Sequence, residues 1–201
     1  GGYYLDMRDE IVFVPGATPG TGAQENINRT ERLGADVEAT LRAGEVVEVM
    51  GSYSYTLARY AAGDNEGNHL AGVPAHTGRV ESKINLPAGF SLEPSYEFSS
   101  AYYLDAANEA DPDFARQRVS AYLSWYPAEA FGAGAGPGAA DGDDLGGGAS
   151  GGDAGARLYV GVENLLDDRS PSQASYSDFL GETTVYPENG RSWQAGFSWR
   201  Y

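Results

Sequence analysis

From Leu33 onward the chain alternates, residue by residue, between a face without charge and a face rich in it. In LGADVEATL, Leu33, Ala35, Val37, Ala39 and Leu41 take one side, and Gly34, Asp36, Glu38 and Thr40 take the other. A period of two is that of a β-strand, because successive side chains leave the backbone on opposite faces. The alternation recurs over VVEVMGSYSYTL (46–57), RVESKINL (79–86), FSLEPSYEF (90–98), RVSAYLSWY (118–126) and RLYVGVE (157–163). It returns in the last run, where Trp193, Ala195, Phe197, Trp199 and Tyr201 share a face. With YYLDMRDEIVF (3–13) at the front, this predicts about eight strands and no helix. The chain is 21% charged, yet none of the apolar-face positions in the last seven runs carries a charge.

A soluble sandwich buries its apolar face and wets the other, whereas a transmembrane barrel turns the apolar face to lipid, so alternation alone fits both. Loop lengths separate them. The turns at RAGE and LPAG are tight, while the stretches around 15–28, 58–75, 104–114 and 165–190 are long, acidic and rich in Gly, Asn and Asp. Short turns at one end and long loops at the other suit an outer-membrane barrel. One connection departs from this order. Residues 128–156 fall where a short turn is due and consist mainly of Gly, Ala and Asp without apolar period, which predicts a flexible insertion on the periplasmic side.

Composition narrows the chemistry. The 201 residues contain no Cys, which removes disulfides, thiolate zinc sites and cysteine nucleophiles, and the net charge of −16 argues against a nucleic-acid partner. No run of 18 apolar residues is present, and the start GGYYLDMRDE lacks the features of a signal peptide; a first residue other than Met predicts a mature or truncated chain. His69 and His76, with Asp64 and Glu66, have no fixed-spacing pattern of metal ligands, and Asp141, Asp143 and Asp144 lack the spacing of a calcium loop. The Gly-rich run holds no complete G-x-G-x-x-G, and no nucleophile elbow occurs. Neither a metal, a cofactor nor enzymatic catalysis is expected. Arg79, Lys83 and Arg118, beside Glu81, Glu93 and Glu97, fall on the charged face, where they are expected to pair across strands and line a wet lumen or a ligand route.

A series of landmarks resembles the C-terminal part of the barrel of TonB-dependent outer-membrane receptors. YYLDMRDEIVF is similar to that family's strand with a short acidic and apolar signature, and NINRTERLGADVEATL to its Asn-Arg-Gly-acidic strand. GSYSYTLARY followed by LAGVPAH resembles the tyrosine-rich strand, loop and proline-containing return. GVENLLDDRS is similar to the late Asn-Leu-Phe-Asp landmark, with Leu166 in place of the aromatic, and YPENGRSWQAGFSWRY to the terminal Gly-Arg-Ser strand. QAGFSWRY fits the assembly signal of outer-membrane barrels through Gln194, Gly196, Trp199 and Tyr201.

The resemblance implies an all-β fold: an antiparallel transmembrane barrel segment spanning 1–201, part of a barrel of 22 strands, in the bacterial outer membrane. It implies a receptor for energy-coupled uptake of a metal chelate such as an iron siderophore. The partners implied are outer-membrane lipid, the barrel-assembly machinery, and the TonB energy-coupling protein acting through a plug domain that this chain lacks. Two other readings stay open at this point. One is a small non-transporting outer-membrane barrel with an adhesive or structural role, and the other is a soluble glycan-binding β-sandwich.

Overall fold

The computed structural model describes residues 1–15, 22–109, 114–127, 155–171, 173–177, 182–186 and 188–200. Its elements are β1 (Gly2–Pro15), β2 (Gly22–Ala43), β3 (Val47–Tyr60), β4 (His76–Leu86), β5 (Phe90–Ser99), β6 (Arg116–Trp125), β7 (Gly155–Glu163), β8 (Gln173–Ser177), β9 (Glu182–Tyr186) and β10 (Ser192–Arg200). Eight of them form one antiparallel sheet in the order β1-β2-β3-β4-β5-β6-β7-β10. The other two, β8 and β9, form a hairpin of their own within the long 165–190 stretch, and sequence period did not reveal it. β8 lies beside β1, so the sheet curls until the hairpin preceding its last strand reaches its first. β1 and β10 are the two edges, and the sheet is open. The predicted insertion at 128–156 lies outside the described residues, except for Gly155 and Ala156, which begin β7.

The register keeps like faces together. Leu33 stands opposite Leu57 across β2 and β3, Val80 opposite Tyr96 across β4 and β5, and Leu123 opposite Val160 across β6 and β7. The burial that results is inverted relative to a soluble domain. Leu33, Val37, Leu41, Tyr53, Val80, Leu123, Leu158 and Val160 are exposed, and so are Trp193 at 70% and Phe197 at 62%. On the opposite face Ser91, Ser120, Ser124 and Glu81 are buried. A sandwich would pack its apolar face against a second sheet; here nothing among the described residues covers that face. The apolar stripe is instead the surface a barrel offers to lipid.

The tight turns predicted at RAGE and LPAG share one end of the sheet, whereas most of the 15–28 stretch, expected as a long loop, is strand: β1 runs to Pro15 and β2 begins at Gly22. Gly44, with φ of 60°, closes the β2–β3 turn, and a 3-10 turn at Pro87–Gly89 joins β4 to β5 with Ala88 at φ 61°. At the other end, the β3–β4 and β5–β6 loops clamp each other. Asn68 Nδ2 donates to the carbonyls of Ala106 and Ala107 at 3.1 and 2.9 Å. Asn108 Oδ1 accepts from the His69 amide at 2.7 Å, and its Nδ2 returns to the His69 carbonyl at 3.0 Å. Beneath them Ala58, Tyr60 and Leu70 form a small buried cluster with Val73 and Ala106 packed against it.

Candidate polar-wall site

The concave, polar face of β4–β7 and β10 borders a half-open cavity of about 670 Å³. Its lining comes mainly from alternate residues of strands whose other residues face outward, joined by the loop residues Asn164, Glu188, Asn189 and Gly190, so strand period delivers most of the charge to this wall. Arg79 on β4 is the centre of one cluster. Its guanidinium pairs with Glu81 on the same strand and with Glu97 on β5, the latter at 2.9 Å. Glu81 is only 8% exposed, so the pairing offsets the cost of removing its charge from water.

A second cluster comes from β6. Arg118 and Arg116 both reach Glu188, Arg116 at 2.7 Å. Glu188 precedes β10 in a loop, and nothing in strand periodicity marks it. A third is built on β7. Arg157 donates to Ser124 Oγ through Nε and Nη2 at 3.1 and 2.8 Å, lies 5.1 Å above the Tyr159 ring, and stands 3.8 Å from Glu93. The Tyr122 hydroxyl donates to Glu163 Oε1 at 2.5 Å. Of the six charged residues singled out from the sequence, Arg79, Glu81, Glu93, Glu97 and Arg118 line this cavity. Lys83 does not. It stands opposite Glu48, whose carboxylate accepts from Arg42 at 2.9 Å, and it makes no ion pair among the described residues. The sequence reasoning missed Arg157, Glu163 and Glu188; alternation places the first two on the charged face, and only the fold brings in the third.

Carboxylates outnumber guanidiniums in the lining by five to three, and most are engaged with one another. Such a wall supplies a hydrated, polar surface with a slight excess of negative charge. The histidines stand elsewhere. His76 hydrogen-bonds the Tyr53 hydroxyl through Nδ1 at 2.7 Å and has the Tyr55 ring beside it, while His69 stacks on Tyr103.

The mouth of the cavity is held by the turn that follows β7. Asn164, at φ 52°, donates from Nδ2 to the carbonyls of Asp168 and Asn189, and its Oδ1 accepts from the Asp168 amide. Asp167 Oδ1 accepts from the Arg191 amide at 2.9 Å. Asp168 accepts from the Gln117 amide at 2.6 Å and from the amide and hydroxyl of Ser170. The Arg191 amide, with the Arg169 guanidinium behind it, holds the Asp167 carboxyl below the usual carboxylate range. Burial alone would raise Asp168, but the Gln117 amide and the Ser170 donors outweigh it and hold that carboxyl low as well.

In the last strand Gln194 and Gly196 fall on the polar face, and Trp199 stands exposed on the apolar one. Tyr201 lies outside the described residues. Gly196 has a local reason: a Cβ there would sit 2.4 Å from Tyr159, whose ring lies flat over it.

Compared with known families, residues 1–165 match the description TonB dependent receptor-like, beta-barrel. The chain belongs to that family. Its members are transport receptors of the bacterial outer membrane and not enzymes. Among solved structures, the siderophore receptor PiuA from Acinetobacter baumannii is 14% identical, with a TM-score of 0.67 over 98% of this chain and 25% of that one. The ferric yersiniabactin uptake receptor FyuA from Yersinia pestis is 14% identical, with a TM-score of 0.66 over 96% of this chain and 25% of that one. The ferric citrate transporter FecA in its unliganded form is 20% identical, with a TM-score of 0.60 over 84% of this chain and 24% of that one. At these identities the likeness is one of fold. The chain spans about a quarter of the length of these structures. No match to it was found among curated protein sequences.

Proposed function

We propose that this chain forms the C-terminal part of the barrel of a receptor that takes up an iron chelate of the siderophore class across the outer membrane. The observation that carries the reading is the inverted sheet, apolar and exposed outside, charged and concave inside, in a chain of this receptor family. Of the solved structures of like fold described above, two are named for ferric chelates and one for a siderophore. The charged wall that includes Arg79, Glu81, Glu93, Glu97 and Arg118 then faces the lumen, and energy coupling through TonB falls to a plug domain elsewhere in the receptor. No covalent chemistry is required of these residues. Uptake of labelled ferric chelates by cells with and without the gene, and with and without the energy-coupling protein, tests the reading. Loss of uptake in both deletions, restored by the full-length gene, is expected; unchanged uptake across a panel of iron chelates overturns it.

The terminal strand fits a second proposed role, recognition by the barrel-assembly machinery through Gln194, Gly196, Trp199 and Tyr201. Among the described residues its outer edge has no partner strand, and added strands dock on such edges by main-chain hydrogen bonds. Deleting Tyr201 from the full-length receptor is expected to lower the folded amount in the outer membrane, and normal levels would remove the assignment.

A further inference from the structure

The β3–β4 loop folds back on the sheet before it enters β4. Residues 68–70 lie along the end of β3, where the Tyr60 amide donates to the Asn68 carbonyl and the Leu70 amide to the Ala58 carbonyl, each at 3.0 Å. The amide and carbonyl of His69 then point to the other edge, because successive residues of an extended chain turn their polar groups to opposite sides. No strand lies along that edge among the described residues. Asn108 of the β5–β6 loop takes its place. Its Oδ1 accepts from the His69 amide at 2.7 Å and its Nδ2 donates to the His69 carbonyl at 3.0 Å, so one side-chain amide stands in for a peptide unit of a missing strand. Only a side-chain amide offers a donor and an acceptor side by side in this way. Asn108 is itself held at φ 56°, a left-handed conformation that Asn tolerates, with its amide and Nδ2 both donating to the Asp105 carbonyl at 3.4 and 3.0 Å.

The tie runs in both directions. Asn68 Nδ2 reaches the carbonyls of Ala106 and Ala107, the Gly72 amide donates to the Tyr103 carbonyl at 2.8 Å, and the His69 ring stacks on that of Tyr103 with centroids 5.6 Å apart. Leu70, buried with Ala58 and Tyr60, fixes the segment from below. We propose that Asn68 and Asn108 are positioning residues that join the β3–β4 and β5–β6 loops into one rigid element of the receptor's outer rim. This element has its working shape before a ferric chelate arrives, and its two loops stay together during uptake. A surface ordered in advance binds more tightly, because the ordering cost is met on folding rather than on binding. The inference rests on the receptor reading given above, but the clamp itself can be tested without any chelate.

The test uses the full-length receptor with Asn108→Asp, which keeps the size of the side chain but sets an oxygen in place of the donor that faces the His69 and Asp105 carbonyls. Hydrogen exchange of the purified receptor in detergent is expected to show residues 66–73 and 103–109 protected in the parent and exchanging about tenfold faster in N108D. Equal exchange in the two proteins overturns the clamp, whether or not a chelate is transported. In cells, uptake is measured with radioiron-labelled chelates of the hydroxamate, catecholate and citrate classes. For the class that the parent imports, N108D is expected to need about tenfold more chelate for half-maximal uptake, with the maximal rate and the heat-modifiable folded band kept. Unchanged half-saturation overturns the positioning role. Import of none of the three overturns the receptor reading and leaves hydrogen exchange to decide the clamp. A chemical bridge then replaces the amide. His69 and Tyr103, whose rings stack and whose side chains make none of the clamp's hydrogen bonds, are changed to Cys and joined on whole cells by a reducible bifunctional thiol reagent. In N108D/H69C/Y103C the bridge is expected to return half-saturation to near the parent's value, and in H69C/Y103C it leaves uptake unchanged. Failure to restore N108D overturns the proposal, because Asn108 would then act other than by joining the loops. A bridge that blocks uptake by H69C/Y103C until reductant is added overturns it too, because the loops would then have to part.

Discussion

At the scale of single residues, the glycines of the polar face explain what strand period leaves unexplained. Alternation assigns Gly161 and Gly196 to the charged side, yet neither adds a polar group. The rings of Tyr122 and Tyr159 lie flat across them from the neighbouring strand, and a Cβ on Gly161 would meet Tyr122 Cδ1 at 2.2 Å. The contact involves atoms close to the root of the Tyr122 side chain, so the ring has no easy way to swing aside, and its hydroxyl is fixed on Glu163. Gly161→Ala is therefore expected to destabilise the folded barrel by about 1–3 kcal/mol, as overpacking does. Gly155→Ala meets nothing within 4 Å and should be nearly neutral. Urea unfolding followed by tryptophan fluorescence compares the two, and equal midpoints would show that the ring yields freely. Close approach of this kind is not legible in a sequence, where these glycines read only as gaps in a polar pattern.

Among elements, strand period located the paired sheet well because each strand has one wholly apolar face, and the ends moved by only a few residues. β2 is the exception: the predicted run began at Leu33, whereas the strand begins at Gly22. Beyond the lipid its outward residues turn polar, so the apolar signal stops while the hydrogen-bonded ladder continues. The β8–β9 hairpin escaped for the same reason. Two sequence landmarks, NLLDD and GRS, turn out to be halves of one contact. Asp167 accepts from the Arg191 amide, and Gly190 leaves room for that carboxylate, since a Cβ would sit 2.6 Å from Asp167 Oδ1. This junction carries a pH dependence. Both Asp167 and Asp168 have folded-state pKa values lowered by amide donors, so their contribution is complete above the unfolded carboxylate value of about 3.9 and is lost as pH falls through the folded one. Hydrogen exchange of the Gln117, Ser170 and Arg191 amides, corrected for intrinsic rates, should show protection at pH 7 that fades below about pH 4. Asp167→Asn should weaken the Arg191 protection at pH 7 and flatten its pH dependence. Unchanged protection between pH 7 and pH 3 would mean the carboxylate charges do not hold the turn.

For the whole molecule, the deciding property is that the sheet does not close. Within a bilayer every backbone donor and acceptor needs a partner, so a spanning sheet must have no free edge. Here β1 pairs only with β2 and β10 only with β7 among the described residues, and β8 of the β8–β9 hairpin lies against β1. The sequence could not distinguish eight strands that close on themselves from eight that continue into further strands, because alternation is the same in both. Curvature and pairing make the difference. The isolated 201-residue chain, refolded into detergent or lipid vesicles, is thus expected to fail as a monomer: to migrate without the heat-modifiable shift of a closed barrel, and to associate through its two edges. The same strands within the full-length receptor should give that shift. A monomeric, heat-modifiable band from residues 1–201 alone would mean that β1 and β10 meet in the membrane. The small-barrel reading would then replace that of a segment in a larger wall, and the cavity on the polar face would become an enclosed lumen too narrow for a chelate to cross.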